Sequence, residues 1–320
     1  RAHLEVAPDD YARAIGELMA PMSEVAAANP YAWFPEAHTA EALATPTADN
    51  RLVGYPYTKR EVAVMDIDQG AAVIVASHAK ADELGVPRER RVYLRGWCYA
   101  SDPLYLAERE DLWRSAAMAG AGAEALRAAA VGIGDVAHLD LYSCFASSLH
   151  FAADALGLTL GADRVPTVTG GLPFAGGPGS NYVTHSLAAM AQVLREDVGS
   201  YGLVSGVGMH MTKHAFGVYS TTPGPIEWPD EAAVQARVEG EPVLAIRDEA
   251  VGAGNVAAYT VAHGRDGAPE WGLAIVDLPE GDRCYARVDD PGLLAQMETT
   301  EWVGADVDLA TAGGVNTVRH

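Results

Sequence analysis

Between residues 91 and 220 the chain alternates strand-type with helix-type segments, and nothing else in its 320 residues constrains the fold as strongly. Strand-type runs fall at 91–97, 138–142, 166–169, 201–206 and 215–220. Apolar residues three and four apart mark helices at 111–130, 144–156 and 182–194. This order predicts crossover units on a mostly parallel sheet, closed by an antiparallel pair formed by the last two strands. Open sheets of this kind bind ligands beyond the carboxyl ends of their strands. Those ends lead here into Tyr142-Ser-Cys144, a glycine-rich loop, and Gly206-Val-Gly-Met-His-Met-Thr-Lys-His214. The three loops are expected to converge, with Tyr142, Gly177, Ser205 and His210 lining one cavity.

The glycine-rich loop runs Pro166-Thr-Val-Thr-Gly-Gly-Leu-Pro-Phe-Ala-Gly-Gly-Pro-Gly-Ser-Asn-Tyr182 and leads into a helix. Glycines allow positive φ and a close approach of backbone to ligand, and a helix N-terminus offers unpaired N–H groups to negative charge. Gly171, Gly176, Gly177, Gly179 and Ser180 are therefore the candidate ligand-binding positions. The same glycines equally suit a tight turn that packs a helix on a sheet. Neither a P-loop nor a GxGxxG pattern is present, which argues against a nucleotide phosphate site.

Outside this core, residues 9–28 carry helical apolar spacing, with Asp9 or Asp10 as the expected N-cap. Residues 29–59 read as ordered loop. Residues 70–77, Gly-Ala-Ala-Val-Ile-Val-Ala-Ser, are continuously apolar and predict a strand buried on both faces, followed by a short helix at 78–84. A Pro-rich linker at 221–230 separates this part from hairpin-like stretches with Asp-Gly turns and no long helix, which predict a small antiparallel barrel or sandwich. The expected division is 1–88, 89–222 and 235–320.

The net charge of −21, with lysine only at positions 59, 80 and 213, argues against nucleic acid or an anionic membrane as partner. No apolar run approaches the roughly 20 residues of a membrane span, and the first residues lack a signal-peptide pattern, so a cytoplasmic location is expected. Cys98, Cys144 and Cys284 include no CxxC pair, against a disulfide framework or a zinc site. Cys144, read as starting a helix, is the one thiol whose pKa the macrodipole would lower. The alternative for it is a structural cysteine. His210 and His214 are candidates for acid/base work or for holding a pyrophosphate. No acidic third ligand lies beside them, so no metal is expected. His185 reads as a packed or capping histidine.

The order of these motifs resembles the thiolase superfamily, in particular its thiolase-like, sterol-carrier-protein-type branch. Leu141-Tyr-Ser-Cys-Phe145 stands where thiolases have Asn-Glu-Ala-Phe or His-Asp-Cys-Phe. Gly170-Gly-Leu-Pro-Phe-Ala-Gly-Gly-Pro178 stands for GGxxxxGHP, and Ser205-Gly-Val-Gly208 for Cys-x-Gly-Gly. Asn50-Arg-Leu-Val-Gly-Tyr-Pro-Tyr-Thr-Lys59 and Met65-Asp-Ile-Asp-Gln-Gly-Ala-Ala72 are also similar to that branch. The resemblance implies an α/β fold, a layered α/β/α sheet domain with an appended OB-like antiparallel β-barrel. It implies coenzyme A as the acyl-CoA partner, an acyltransferase of the acetyl-CoA acetyltransferase type, and a place in lipid metabolism. Its site would include Tyr142, Cys144, Ser205, His210 and His214.

The departures bear on activity. The position of the GHP histidine is Gly177 and that of the second cysteine is Ser205, and neither side chain can move a proton near neutral pH. The family's nucleophile has no counterpart before Cys98, so an N-terminal segment carrying it is expected to be missing. Either that segment or a second copy is then the expected protein partner. Ordinary thiolysis by this chain alone is not expected. The alternatives are a non-catalytic CoA-binding or accessory module, and aldol-type carbon–carbon cleavage of an acyl-CoA using Tyr142 with the 210–214 loop.

Overall fold

A computed structural model describes residues 1–319. The first long helix, α1 (Pro8–Ala28), buries Tyr11, Ile15, Leu18, Met19, Met22 and Ala26 along the stripe that the apolar spacing predicts. Its N-cap is Ala7, not Asp9 or Asp10. Pro8 supplies the fixed φ of a first helical residue, which places both aspartates inside the first turn, where carboxylates favour the helix dipole. Residues 29–59 are not loop throughout. They contain α2 (Ala40–Ala44), started by Thr39 accepting from the Ala42 amide, and the short strands β1 (Leu52–Gly54) and β2 (Tyr57–Thr58).

The expected strand at 70–77 does not form. Among the described residues this stretch joins no sheet, and Ile74 is 95% and Val75 91% exposed. The helix after it, α3 (His78–Glu83), is present. Next come β3 (Tyr93–Ser101), α4 (Ala116–Ala129), β4 (Val136–Asp140), α5 (Ala146–Leu156), α6 (Tyr182–Glu196), β5 (Tyr201–Gly208) and β6 (Lys213–Ser220).

These strands form a four-stranded sheet in the order β3-β6-β5-β4. Only β4 and β5 are parallel; β6 runs antiparallel to both β5 and β3, so the sheet is mixed and not mostly parallel. The strand expected at 166–169 is reduced to one contact, the Leu141 amide donating to the Pro166 carbonyl at 2.8 Å. Beyond it the chain turns inward to satisfy a buried carboxylate described below. Helices α1, α4 and α5 pack on one face around Met118, Leu139, Leu149 and Phe216, and α6 covers the other with Met190 and Leu194 packed on Val204 of β5. The unit is thus helix, sheet, helix in layers.

Helix α7 (Glu231–Glu239) packs on α4 and β3. The rest of the chain forms β7 (Gly252–His263), β8 (Pro269–Asp277), β9 (Arg283–Val288), α8 (Pro291–Thr299), β10 (Asp306–Ala312) and β11 (Val315–Arg319). The strands run β7-β8-β9-β11-β10, and β10 pairs back onto β7 over 306–309 and 252–255, which closes a five-stranded barrel. β9 and β11 are parallel, the other pairs antiparallel, and a helix sits between the third and fourth barrel strands, an OB-like arrangement. The hairpin reading of this region, which expected no long helix, did not place this short one. Asp290 caps α8 by accepting from the Gly292 and Leu293 amides, and Leu293, Leu294 and Met297 are buried. A Cβ on Gly272 would lie 3.0 Å from Met297 Cε, so the glycine makes room for α8. The β1 strand adds to the barrel by pairing Gly54 with Ala262 of β7.

Candidate functional site

The sheet edge from which the glycine loop departs is organised by Asp140, the last residue of β4 and fully buried. Its Oδ2 accepts from Thr167 Oγ1 (2.9 Å), the Val168 amide (3.0 Å), and the Thr169 amide and Oγ1 (3.1 and 3.0 Å). Its Oδ1 accepts from Ser186 Oγ at 2.6 Å and Tyr182 OH at 3.2 Å. A buried carboxylate is tolerated only when donors replace its water. These donors tie the end of β4 to the start of the loop and to the first turns of α6. Sequence reasoning missed this residue because its partners lie 27 to 46 positions away. The only local signal was the Thr-Val-Thr before the first glycine pair.

From Asp140 the chain enters the segment expected to carry chemistry. The Tyr142 amide donates to Ser205 Oγ at 2.9 Å, and the Tyr142 ring meets Tyr182 edge-on at 5.5 Å between centroids. Ser143 Oγ, buried, accepts from the Leu172 amide at 3.1 Å. Cys144 is half-buried and lies two residues before the first residue of α5. Burial pushes its thiol up, with the Ser148 hydroxyl and the Phe145 amide opposing, so the expected depression by the helix dipole is overturned. Burial, and then the neighbouring Cys144, likewise push the Tyr142 hydroxyl up.

Within the loop, Gly170, Gly171 and Gly176 adopt φ values of 107°, 82° and 107°. A Cβ at Gly171 would stand 2.6 Å from Ser143 Oγ, and one at Gly176 would stand 2.7 Å from Gln69 Oε1. Several amides that could have faced a ligand are already used. Gly170 donates to Thr167 Oγ1, Gly171 to Thr169 Oγ1, Gly177 to the Val64 carbonyl at 2.8 Å and Gly179 to the Gly177 carbonyl. The buried part of the loop is therefore a packing turn. Gly179 and Ser180 at its far end are exposed, and the side chain of Asn181, the N-cap of α6, makes no capping bond. The Asn181 and Tyr182 amides at the start of α6 donate to the Pro178 and Gly179 carbonyls, so they too are engaged.

Ser205 lies within β5, three positions before the end of the strand. The turn that follows is at 209–212, where Met209 and Met211 take left-handed φ values of 56° and 54°. His210 sits exposed in this turn. His214 does not join it. The ring is fully enclosed, with Nε2 3.1 Å from the Met211 carbonyl and 3.3 Å from Asp102 Oδ2. Burial pushes the Asp102 carboxyl up but is outweighed by hydrogen bonds from His214, Ser115 and the Ala117 amide and by the Arg109 charge, so it is held below the usual carboxylate range. His214 thus belongs to a buried ion-pair cluster between β6, β3 and α4.

A second residue that sequence reasoning passed over is Glu61. It is buried, its Oε2 accepts from the Thr58 amide at 3.0 Å, and its Oε1 has no partner. Burial, opposed by the Thr58 hydrogen bonds, raises its carboxyl to about 7. The Thr-x-x-Glu spacing of a capping box was the available signal. Tyr57, just before it, stacks obliquely on Phe145, with centroids 5.2 Å apart.

The structure therefore brings Tyr142, Cys144 and Ser205 together with Gly171 and Gly177, through Ser143 and the 63–64 segment. It leaves His210, Gly179 and Ser180 at exposed positions and removes His214. A cavity of about 980 Å³ lies elsewhere, between the first residues, α5 and the barrel, lined in part by Trp113, His150, Phe151, Arg283 and Val303. None of the four residues expected to share a cavity lines it. Among the described residues no three His, Cys, Asp or Glu side chains are placed to hold a metal, and no helix is long and apolar enough to cross a membrane.

Residues 233–313 match the family model of the thiolase-like protein type 1 additional C-terminal domain. No curated protein matches the chain. Among solved structures, the crystal structure of a monomeric SCP2-thiolase like protein type 1 from Mycobacterium smegmatis is similar over 100% of this chain and 70% of that chain, with 38% identity and a TM-score of 0.93. That degree of identity over that length, on an α/β/α unit followed by a closed β-barrel, means that the chain belongs to the family of SCP2-thiolase-like proteins of type 1.

Proposed function

We propose that this protein binds acyl-CoA thioesters at the carboxyl edge of the β4–β5 pair and does not carry out ordinary thiolysis. The observation that carries the reading is the fate of Gly177. Its amide is committed to the Val64 carbonyl, and a Cβ there would lie 3.1 Å from that same oxygen. The position where thiolases place a histidine is thus tightly bordered by the neighbouring 63–64 segment. Ser205 Oγ is likewise held by the Tyr142 amide. With the Cys144 thiol pushed up, none of these groups is poised to take a proton from a thiol or an α-carbon near pH 7.

Support for binding comes from family membership, the half-buried Tyr142 and Cys144, and the exposed Gly179 and Ser180 ahead of α6. Aldol-type cleavage finds less support, since His214 is enclosed and among the described residues no carboxylate pairs with the exposed His210. The test is calorimetric titration with CoA and acetoacetyl-CoA, in parallel with an acetoacetyl-CoA thiolysis assay. Saturable binding without turnover is the expected result. Turnover within about tenfold of a median enzyme sinks the catalytic half of the reading, and absence of binding sinks the other half.

A further inference from the structure

Between β5 and β6 the chain reverses through Met209-His-Met-Thr212 without a glycine, although Met209 and Met211 both take left-handed φ values. Residues with a Cβ keep that conformation only where their surroundings impose it. Here the polar groups of the turn are taken one by one. The Gly208 carbonyl accepts from the Thr212 amide at 3.1 Å, the Thr212 carbonyl accepts from the Asp102 amide at 2.9 Å, and the Met211 carbonyl lies 3.1 Å from His214 Nε2. The His210 carbonyl and the Thr212 hydroxyl accept from Arg109 Nη2 at 3.2 and 3.1 Å, and the same nitrogen reaches the Pro103 carbonyl at 3.3 Å. Arg109 is buried, and its Nε and Nη1 make no hydrogen bond. Its side-chain hydrogen bonds therefore all go to this turn and to the 103 carbonyl beside it.

The backbone around Arg109 is held from the other side, by the barrel. The Arg109 carbonyl accepts from Arg283 Nη1, and the Glu110 carbonyl accepts from Arg283 Nη2 at 3.0 Å. The Ala107 amide donates to Tyr285 OH at 3.2 Å. Arg283 and Tyr285 belong to β9, and Arg283 is itself fixed by Asp277 of β8, whose Oδ1 accepts from Nε at 2.6 Å. We propose that Arg109 is a positioning residue through which the barrel sets the 209–212 turn, and with it the presentation of His210 and the affinity for ligand at the carboxyl edge of the sheet. The side chain of this one residue imposes the turn, and its backbone takes its place from β9. The proposal rests on the thioester reading only for the choice of ligand.

The test uses the 320-residue chain labelled with 13C-methionine, so that the Cα shifts of Met209 and Met211 report their left-handed backbone, while hydrogen exchange reports the Thr212 amide. Arg283→Met leaves the Arg109 side chain untouched. In that variant both Cα resonances should move or broaden, and the Thr212 amide should exchange at least about tenfold faster while the Leu203 amide within β5 does not. CoA should bind about fivefold more weakly. Tyr285→Phe, which deletes one hydroxyl, should give a smaller change in the same direction and decides the question if Arg283→Met does not fold. Arg109→Met should reproduce the effect, Arg109→Lys should recover most of it, and combining Arg109→Met with Arg283→Met should add nothing further. Val318→Ala, in the barrel core and sharing no hydrogen bond with residues 107–110, should lower the melting temperature and leave the turn as in the parent. A folded Arg283→Met protein with an unchanged turn overturns the proposal, and so does an equal disturbance of the turn by Val318→Ala. A moved turn with unchanged CoA affinity overturns the link to the ligand. If the parent binds no CoA, the thioester reading falls, and the methionine shifts and Thr212 exchange alone decide the positioning role.

Discussion

The amide of Gly177 donates to the carbonyl oxygen of Val64 at 2.8 Å, and a Cβ at this position would lie 3.1 Å from the same oxygen. Gly177→His is therefore expected to destabilise the protein by about 1–3 kcal/mol through overpacking and to restore no thiolysis. The checks are the urea midpoint and an acetoacetyl-CoA assay. A variant as stable as the parent, or one with measurable turnover, contradicts the geometry.

Asp140 accepts hydrogen bonds from four side-chain hydroxyls and two amides. Asp140→Asn presents an NH2 group to donors and leaves some of them unpaired in a dry site. The expected loss is about 3 kcal/mol or more, with weaker CoA binding because the loop and the start of α6 lose their common anchor. Denaturation and titration of the same sample check both effects. A loss under about 1 kcal/mol would remove Asp140 from its organising role.

Glu61 ties stability to pH. Its folded-state pKa, raised to about 7, exceeds the ordinary 4.5, so the folded state holds the proton more tightly than the unfolded chain. The stability that this provides is full below about pH 4.5 and is lost as pH rises towards 7, in total about 3 kcal/mol. His38, His150 and His185, lowered by burial, act in the opposite direction as pH rises towards 6.5, and Asp102 acts only in the acid range below its usual value. The difference between Glu61→Gln and the parent isolates the effect. The variant should match the parent at pH 4.5 and exceed it at pH 8, as read from urea midpoints.

Cysteine reactivity follows from burial. Cys98 and Cys284 are buried and pushed up to about 11, and Cys144 is half-buried with its thiol also pushed up. Iodoacetamide at pH 7.5 should label Cys144 first, at least about tenfold more slowly than a free thiol, and the other two only on unfolding. Peptide mass mapping over time decides it. Rapid labelling of Cys144 near neutral pH would indicate an activated thiol and reopen acyl-enzyme chemistry.

The net charge of −21 opposes an anionic ligand. CoA binding should strengthen about two- to threefold between 50 and 300 mM NaCl as repulsion is screened. Titrations at the two salt concentrations measure the slope. Affinity that falls tenfold with salt would require a cationic pocket.

Much of the fold was legible because it depends on neighbours in sequence. The stripe of α1, helices α4 to α6 and the hairpins of the barrel all follow from spacing that any local window contains. The barrel's closure was not legible, since it depends on β10 returning to β7 across about fifty residues. The antiparallel β5–β6 pair was legible, but the pairing of β6 with β3 was not, because β3 lies more than a hundred positions away. At the site, the chain order alone placed Tyr142, Cys144 and the glycines on loops at one sheet edge, with Ser205 near the end of a neighbouring strand. Whether each group is free to react was decided by tertiary contacts: Val64 against Gly177, Asp102 against His214, and burial against the Cys144 thiol. Residues 70–77 make the same point in reverse. Their sequence specifies an apolar strand, but a strand is stable only when other segments supply its edges and faces, and that is a property of what packs around it.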